Sequence, residues 1–71
     1  MPLVQISWRQ GRSEEQKRRV IRRVTEALVE EGGARPERVT VVLYDVPPDS
    51  WATGGRTLAE EAQQESGQTG R

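Results

Sequence analysis

The 71-residue chain contains no histidine, no cysteine and no phenylalanine. Without histidine or cysteine there is no Ser-His-Asp or Cys-His nucleophile, no thiolate or imidazole metal site, and no disulfide framework. Any chemistry falls to carboxylates, lysine or arginine, tyrosine, or the amino terminus. Excess charge is also absent, because 11 Lys+Arg balance 11 Asp+Glu. A nucleic-acid footprint needs surplus positive charge. The run Lys17-Arg18-Arg19-Val20-Ile21-Arg22-Arg23 therefore reads as a solvated helix face, offset by Glu14, Glu15, Glu26, Glu30 and Glu31. No apolar run approaches the ~18 residues of a membrane span, and no signal-peptide pattern appears. The expected location is cytoplasmic, with neither nucleic acid nor membrane as a partner. The chain has no internal repeat and accommodates one domain.

Apolar content is low as well: 32% hydrophobic and 4% aromatic, against 31% charged. A lone core in a chain this short rarely supplies more than ~3–5 kcal/mol, and no disulfide can help. The apolar residues are concentrated in Leu3–Trp8, Val20–Val29 and Val39–Val46, while Glu60–Arg71 has almost none. That clustering favours a hydrophobic surface completed by copies of the chain over disorder.

Leu3-Val4-Gln5-Ile6-Ser7-Trp8 alternates with period two, which predicts a half-buried strand with Val4, Ile6 and Trp8 on one face. Gly11 marks a turn. Ser13-Glu14-Glu15-Gln16 fits the S-x-x-E/Q capping box, and its two glutamates suit the positive end of a helix dipole. Val20, Ile21, Val24, Ala27 and Leu28 form one apolar stripe on a helix of roughly 17 to 19 residues. Glu14/Arg18, Glu15/Arg19 and Arg22/Glu26 lie at i,i+4 on the other face. Gly32-Gly33 stops the helix, Pro36 marks a turn, and Val39–Tyr44 is β-branched enough for a buried strand. Strand, helix, strand is a βαβ unit, so the fold class is α+β with two parallel strands and a right-handed crossover. Such a unit leaves a sheet face and both edges open, which makes self-association a physical requirement. Pro47-Pro48-Asp49 ends the second strand, and Ser50–Thr57 follows as a loop or hairpin. The domain spans residues 1–58. The polar segment 59–71 is expected to be mobile or draped on a neighbour.

Four residues stand out for chemistry. Pro2 is small enough for an aminopeptidase to remove Met1 and expose a secondary amine. An α-amino group titrates at about 7.7–8.0, so a modest depression makes it a general base at neutral pH. Arg9 and Arg12 flank the Gly11 turn, where a pair of inward-facing forks can hold substrate carboxylate and stabilise an enolate. Trp51 lies outside any regular element and must pack on a subunit interface or an active-site wall. Gly54-Gly55 lacks a G-x-G-x-x-G or G-x-x-x-x-G-K-[ST] context and reads as a hairpin turn. Asp45 and Asp49 have no evident partner for paired acid–base work.

Pro2 ahead of a short strand, then Gly11-Arg12-Ser13-x-Glu15-Gln16-Lys17 opening a helix, resembles the 4-oxalocrotonate tautomerase family. Val39–Tyr44 and Trp51-x-x-Gly54-Gly55 fit the same pattern, so the resemblance covers about residues 2 to 58. It implies a β-α-β subunit assembled as trimers of dimers into a hexamer, and isomerase chemistry of the kind met in aromatic degradation that needs no cofactor. Pro2 would carry a proton from a 2-hydroxy-dienoate to a distant carbon, giving the conjugated 2-oxo acid. Arg12 matches the arginine that binds the remote carboxylate, and Trp51 the aromatic that keeps the site apolar.

One position departs from the family pattern. The tautomerases carry a second arginine between two valines of the second strand, and here Thr40 stands there. Arg38 is two residues earlier, and Arg9 with Arg12 resembles the arginine pair of the trans-3-chloroacrylic acid dehalogenase relatives. Those relatives also use a glutamate after the second strand, and Ser50–Gly55 contains no carboxylate. The resulting expectation is a tautomerase-like site in which Arg9 replaces the strand arginine. The alternatives are a silent subunit that lends arginines to a homologue in a mixed hexamer, a dehalogenase- or hydratase-like activity, and a small interaction module with a basic helix.

Overall fold

The computed structural model describes residues 1–68. Strand β1 (Leu3–Arg9) is followed by helix α1 (Glu14–Glu30) and strand β2 (Thr40–Val46). β1 and β2 pair in parallel, with Leu3 opposite Thr40 and Arg9 opposite Val46. The β-α-β unit expected from the hydrophobic periodicity is therefore present.

Local chemistry sets each boundary. At the start of α1 the Ser13 hydroxyl accepts from the Gln16 N–H (3.1 Å), while the Gln16 side chain accepts from the Ser13 N–H (2.8 Å). Both halves of the capping box are thus made. Of the three expected i,i+4 pairs, Arg18–Glu14 (3.2 Å) and Arg19–Glu15 (3.6 Å) close. These are the two with the acid nearer the helix N-terminus, the better orientation. At the other end the Leu28 carbonyl accepts from both Gly32 and Ala34 N–H groups, and Gly33 turns the chain at φ +71°.

β2 begins one residue later than the β-branched run Val39–Tyr44 predicts and continues two residues further. Val39 N–H closes a short 3-10 turn onto Pro36 instead of entering the ladder, and Gln10 N–H donates to Val46 at the far end. Pro47, which has no N–H, then stops the strand. Ala52–Thr53 (β3) and Arg56–Thr57 (β4) form the hairpin, with Gly54 and Gly55 both at positive φ as a two-residue primed turn requires.

No element is predicted after the hairpin, yet helix α2 spans Leu58–Gln68. Thr57 and Glu60 start it with a second capping box: the Glu60 N–H donates to the Thr57 hydroxyl, and the Glu60 carboxylate accepts from the Thr57 N–H. Residues 69–71 of the polar segment lie outside the described residues.

The inner sheet face, Val4, Ile6 and Trp8 with Val41 and Leu43, turns toward α1 and is half-buried. On the outer face Leu3 remains 58% and Tyr44 45% exposed, with Gln5 donating to the Tyr44 hydroxyl across the strands (3.0 Å). Among the described residues not one is fully buried. The open face and the lack of an enclosed core are the structural form of the deficit seen in the composition. No helix among the described residues is long and apolar enough to cross a membrane.

Candidate active site

The C-terminal ends of β1 and β2 lie side by side, and the segments leaving them enclose an open cleft of about 320 Å³. Arg9 lines it from the end of β1, Gln10 and Arg12 from the β1–α1 turn, Val46 and Pro48 from the end of β2 and just beyond, and Leu58 from the start of α2. Gly11 makes the turn at φ +128°, a conformation open to glycine, and so lets Arg9 and Arg12 approach one cavity from either side. The structure thus brings together the two arginines singled out in the sequence.

Arg12 is held in place by its surroundings. Its Nη1 donates to the Arg9 carbonyl (2.8 Å), and its guanidinium lies 4.1 Å from the centroid of the Trp8 ring. Trp8 is fixed in turn: its Nε1–H donates to Asp45 Oδ1 (2.7 Å), and Lys17 Nζ donates to Asp45 Oδ2 (2.7 Å). Asp45, expected to stand alone, therefore has two partners. The parallel register sets Trp8 directly opposite it, and α1 brings Lys17 to its other oxygen. The Lys17 bond first, and the Trp8 bond next, hold the Asp45 carboxyl below the usual aspartate range. Neither Arg9 nor Arg12 forms an ion pair among the described residues, although the charge of Arg12 adds weakly to the depression of Asp45, so the cleft presents two cations without a direct carboxylate partner.

Pro2 and Trp51 are placed differently. Pro2 lies at the opposite end of the sheet, where its carbonyl accepts from the Thr40 N–H (3.0 Å). Seven residues of strand at ~3.3 Å each separate it from Arg9 by about 23 Å, beyond the combined reach of an arginine side chain and a small dicarboxylate. The same spacing keeps Arg9 away from Thr40 within one chain, since Thr40 pairs with Leu3 at the proline end. Trp51 follows β2 at the arginine end, half-buried at the base of the hairpin, where its carbonyl accepts from the Leu58 N–H (2.9 Å). It is not among the residues lining the cleft. Among the described residues no cluster of three or more acidic side chains is arranged to hold a metal ion.

The Tautomerase enzyme family profile matches residues 2–61. The chain is 48% identical to a 2-hydroxymuconate tautomerase of Comamonas testosteroni over 60 residues, 84% of this chain and 95% of the relative. Among solved structures, a 4-oxalocrotonate tautomerase isozyme from Methylibium petroleiphilum superimposes with a TM-score of 0.77. It is 45% identical, and the match covers 84% of this chain and 97% of the other. A heterohexameric 4-oxalocrotonate tautomerase from Chloroflexus aurantiacus gives 0.78 at 33% identity, with the same coverage.

Proposed function

The chain belongs to the tautomerase family of isomerases, and from that premise we propose that it ketonises a small 2-hydroxy-dienoate with Pro2 as the base. Met1 is 91% exposed at the chain start, open to removal, and its loss turns the Pro2 nitrogen from an amide into a secondary amine. That amine takes the hydroxyl proton of the enol and returns it to a distant carbon, so the product is the conjugated 2-oxo acid. The proton is the only thing transferred, and no cofactor has a part in it. Arg12 and Arg9 hold the substrate carboxylate and stabilise negative charge as the enolate forms. Trp51, which lies outside the cleft of a single chain, is assigned to the wall of the site completed by assembly, where it keeps water from the amine of another subunit.

The observation that carries this reading is the cleft at the C-terminal end of the parallel strands, lined by both Arg9 and Arg12 with no carboxylate among its lining residues. The separation of about 23 Å between Pro2 and that cleft gives assembly a catalytic purpose. A site containing both groups draws the proline from one subunit and the arginines from another, in a hexamer such as the family resemblance implies. Arg9 then supplies, across a subunit boundary, the cation that Thr40 does not. A second reading, a subunit of a mixed hexamer that lends its arginines to a homologue's proline, is favoured by Thr40 at the position beside Pro2.

Turnover of 2-hydroxymuconate tests the assignment. Arg12→Ala is expected to raise KM about tenfold or more, as loss of a charge-assisted carboxylate contact does. Arg19→Ala, on the solvated face of α1, should leave KM unchanged. Equal effects of the two substitutions would contradict the role given to Arg12.

A further inference from the structure

Three side chains from three elements, with Arg12 of the β1–α1 turn, form one continuous chain of contacts ending at the cleft. Lys17 of α1 reaches Asp45 of β2, Asp45 accepts from Trp8 of β1, and Trp8 lies beneath the Arg12 guanidinium. Only Arg12 of the four lines the cleft. The other three lie outside its lining. Their arrangement nevertheless fixes the one plane that matters for recognising a carboxylate.

A guanidinium recognises a carboxylate through its edge, with two N–H groups donating in parallel. Stacked on an indole, it keeps its edge free while its face is occupied, because cation–π attraction uses the face. Arg12 is in this state: its face is on the Trp8 ring, its Nη1 is tied to the Arg9 carbonyl, and the residue lines the cleft. The indole itself rotates about its side-chain torsions unless something holds its rim, and the Asp45 bond to Nε1 holds it. Asp45 is a hazard as well as an anchor. A free carboxylate so close to Arg12 would compete with the substrate for it. Both of its oxygens are engaged, Oδ1 by Trp8 and Oδ2 by Lys17, and Arg12 is left unpaired.

We propose that Trp8 and Asp45 are positioning residues that hold the Arg12 guanidinium with its edge toward the substrate carboxylate. This inference rests on the assignment of Arg12 as a carboxylate-binding residue. It adds that the binding strength depends on an indole platform, which no feature of the linear sequence singles out.

The test is a set of KM and kcat measurements with 2-hydroxymuconate on the assembled enzyme, comparing Trp8→Leu, Trp8→Phe, Asp45→Asn, Arg12→Ala and the double variant Trp8→Leu/Arg12→Ala. Trp8→Leu is expected to raise KM roughly three- to fivefold, with kcat within about twofold of wild type. Trp8→Phe retains a ring face but loses the Asp45 bond, and should fall between wild type and Trp8→Leu. Should Trp8→Leu fail to assemble, Trp8→Phe and Asp45→Asn carry the comparison, each with a smaller rise in KM. In the Arg12→Ala background Trp8→Leu should add no further rise, a non-additivity that general loosening of the fold would not produce. A raised KM in Arg12→Ala together with wild-type KM in the Trp8 and Asp45 variants, or a Trp8→Leu effect undiminished by Arg12→Ala, overturns the platform role alone. An unchanged KM in Arg12→Ala overturns the carboxylate assignment and the platform with it.

Discussion

Asp45 joins stability to the site. Its carboxylate accepts from Lys17 and Trp8, and both bonds favour the ionised form, so its pKa in the folded chain lies below that of the unfolded chain. A carboxyl depressed on folding contributes its stability in full above the ordinary aspartate value of about 3.9 and loses it as pH falls through the folded value. Asp45→Asn should therefore lower Tm at pH 7, and the gap from wild type should narrow when both are measured below about pH 4. Glu60 is also depressed, through the Thr57 N–H and hydroxyl, but it is common to both proteins and cancels in the difference. A gap of equal size at both pH values would show that the ionised form of Asp45 has no special role. At this scale the sequence pointed to Pro2, Arg9 and Arg12, because residue type and distance along the chain suffice to raise them. Trp8 and Asp45 were not legible as partners. Their contact is made by a strand register 37 residues apart in sequence, and only the completed βαβ crossover sets it.

Helix α1 has strong punctuation at both ends, and its C-terminal end is the more demanding. A Cβ built on Gly32 would lie 2.8 Å from the Leu28 carbonyl oxygen, which already accepts from Gly32 and Ala34. Backbone cannot yield as a flexible side chain would. Gly32→Ala is expected to destabilise the protein by more than about 1 kcal/mol, despite the better helix propensity of alanine, and to lower the urea midpoint. An unchanged midpoint would mean that the turn after α1 adapts without cost. The elements with strong periodicity, β1 and α1, were legible with nearly their observed bounds. β2 was legible in kind but not in extent, since Asp45 is a poor strand residue by type and is retained by partners on two other elements. α2 was overlooked for another reason. Thr57-x-x-Glu60 is the same start signal as Ser13-x-x-Gln16, but no apolar stripe follows it and the composition suggests solvated chain.

The whole molecule is incomplete as one chain. Among the described residues none is fully buried, and Leu3 and Tyr44 lie open on the outer sheet face. An exposed apolar face on a two-stranded sheet is the surface that association covers. Scarcity of hydrophobic residues, read from composition, and the separation of Pro2 from Arg9 and Arg12 along the strand lead to the same proposal of a multi-subunit enzyme. The first was visible in the sequence. The second follows from the legible first strand, since seven extended residues between Pro2 and Arg9 already set the distance; what needed the fold is that Arg9 and Arg12 share one cleft. Turnover of 2-hydroxymuconate by Pro2→Ala and Arg12→Ala subunits, alone and coexpressed, tests this most directly. Each variant alone is expected to be severely impaired. In the mixture, about a quarter of the sites should join an intact proline to an intact arginine from different subunits, restoring about a quarter of the wild-type rate. A mixture no more active than its components, or a Pro2→Ala enzyme as fast as wild type, would contradict it.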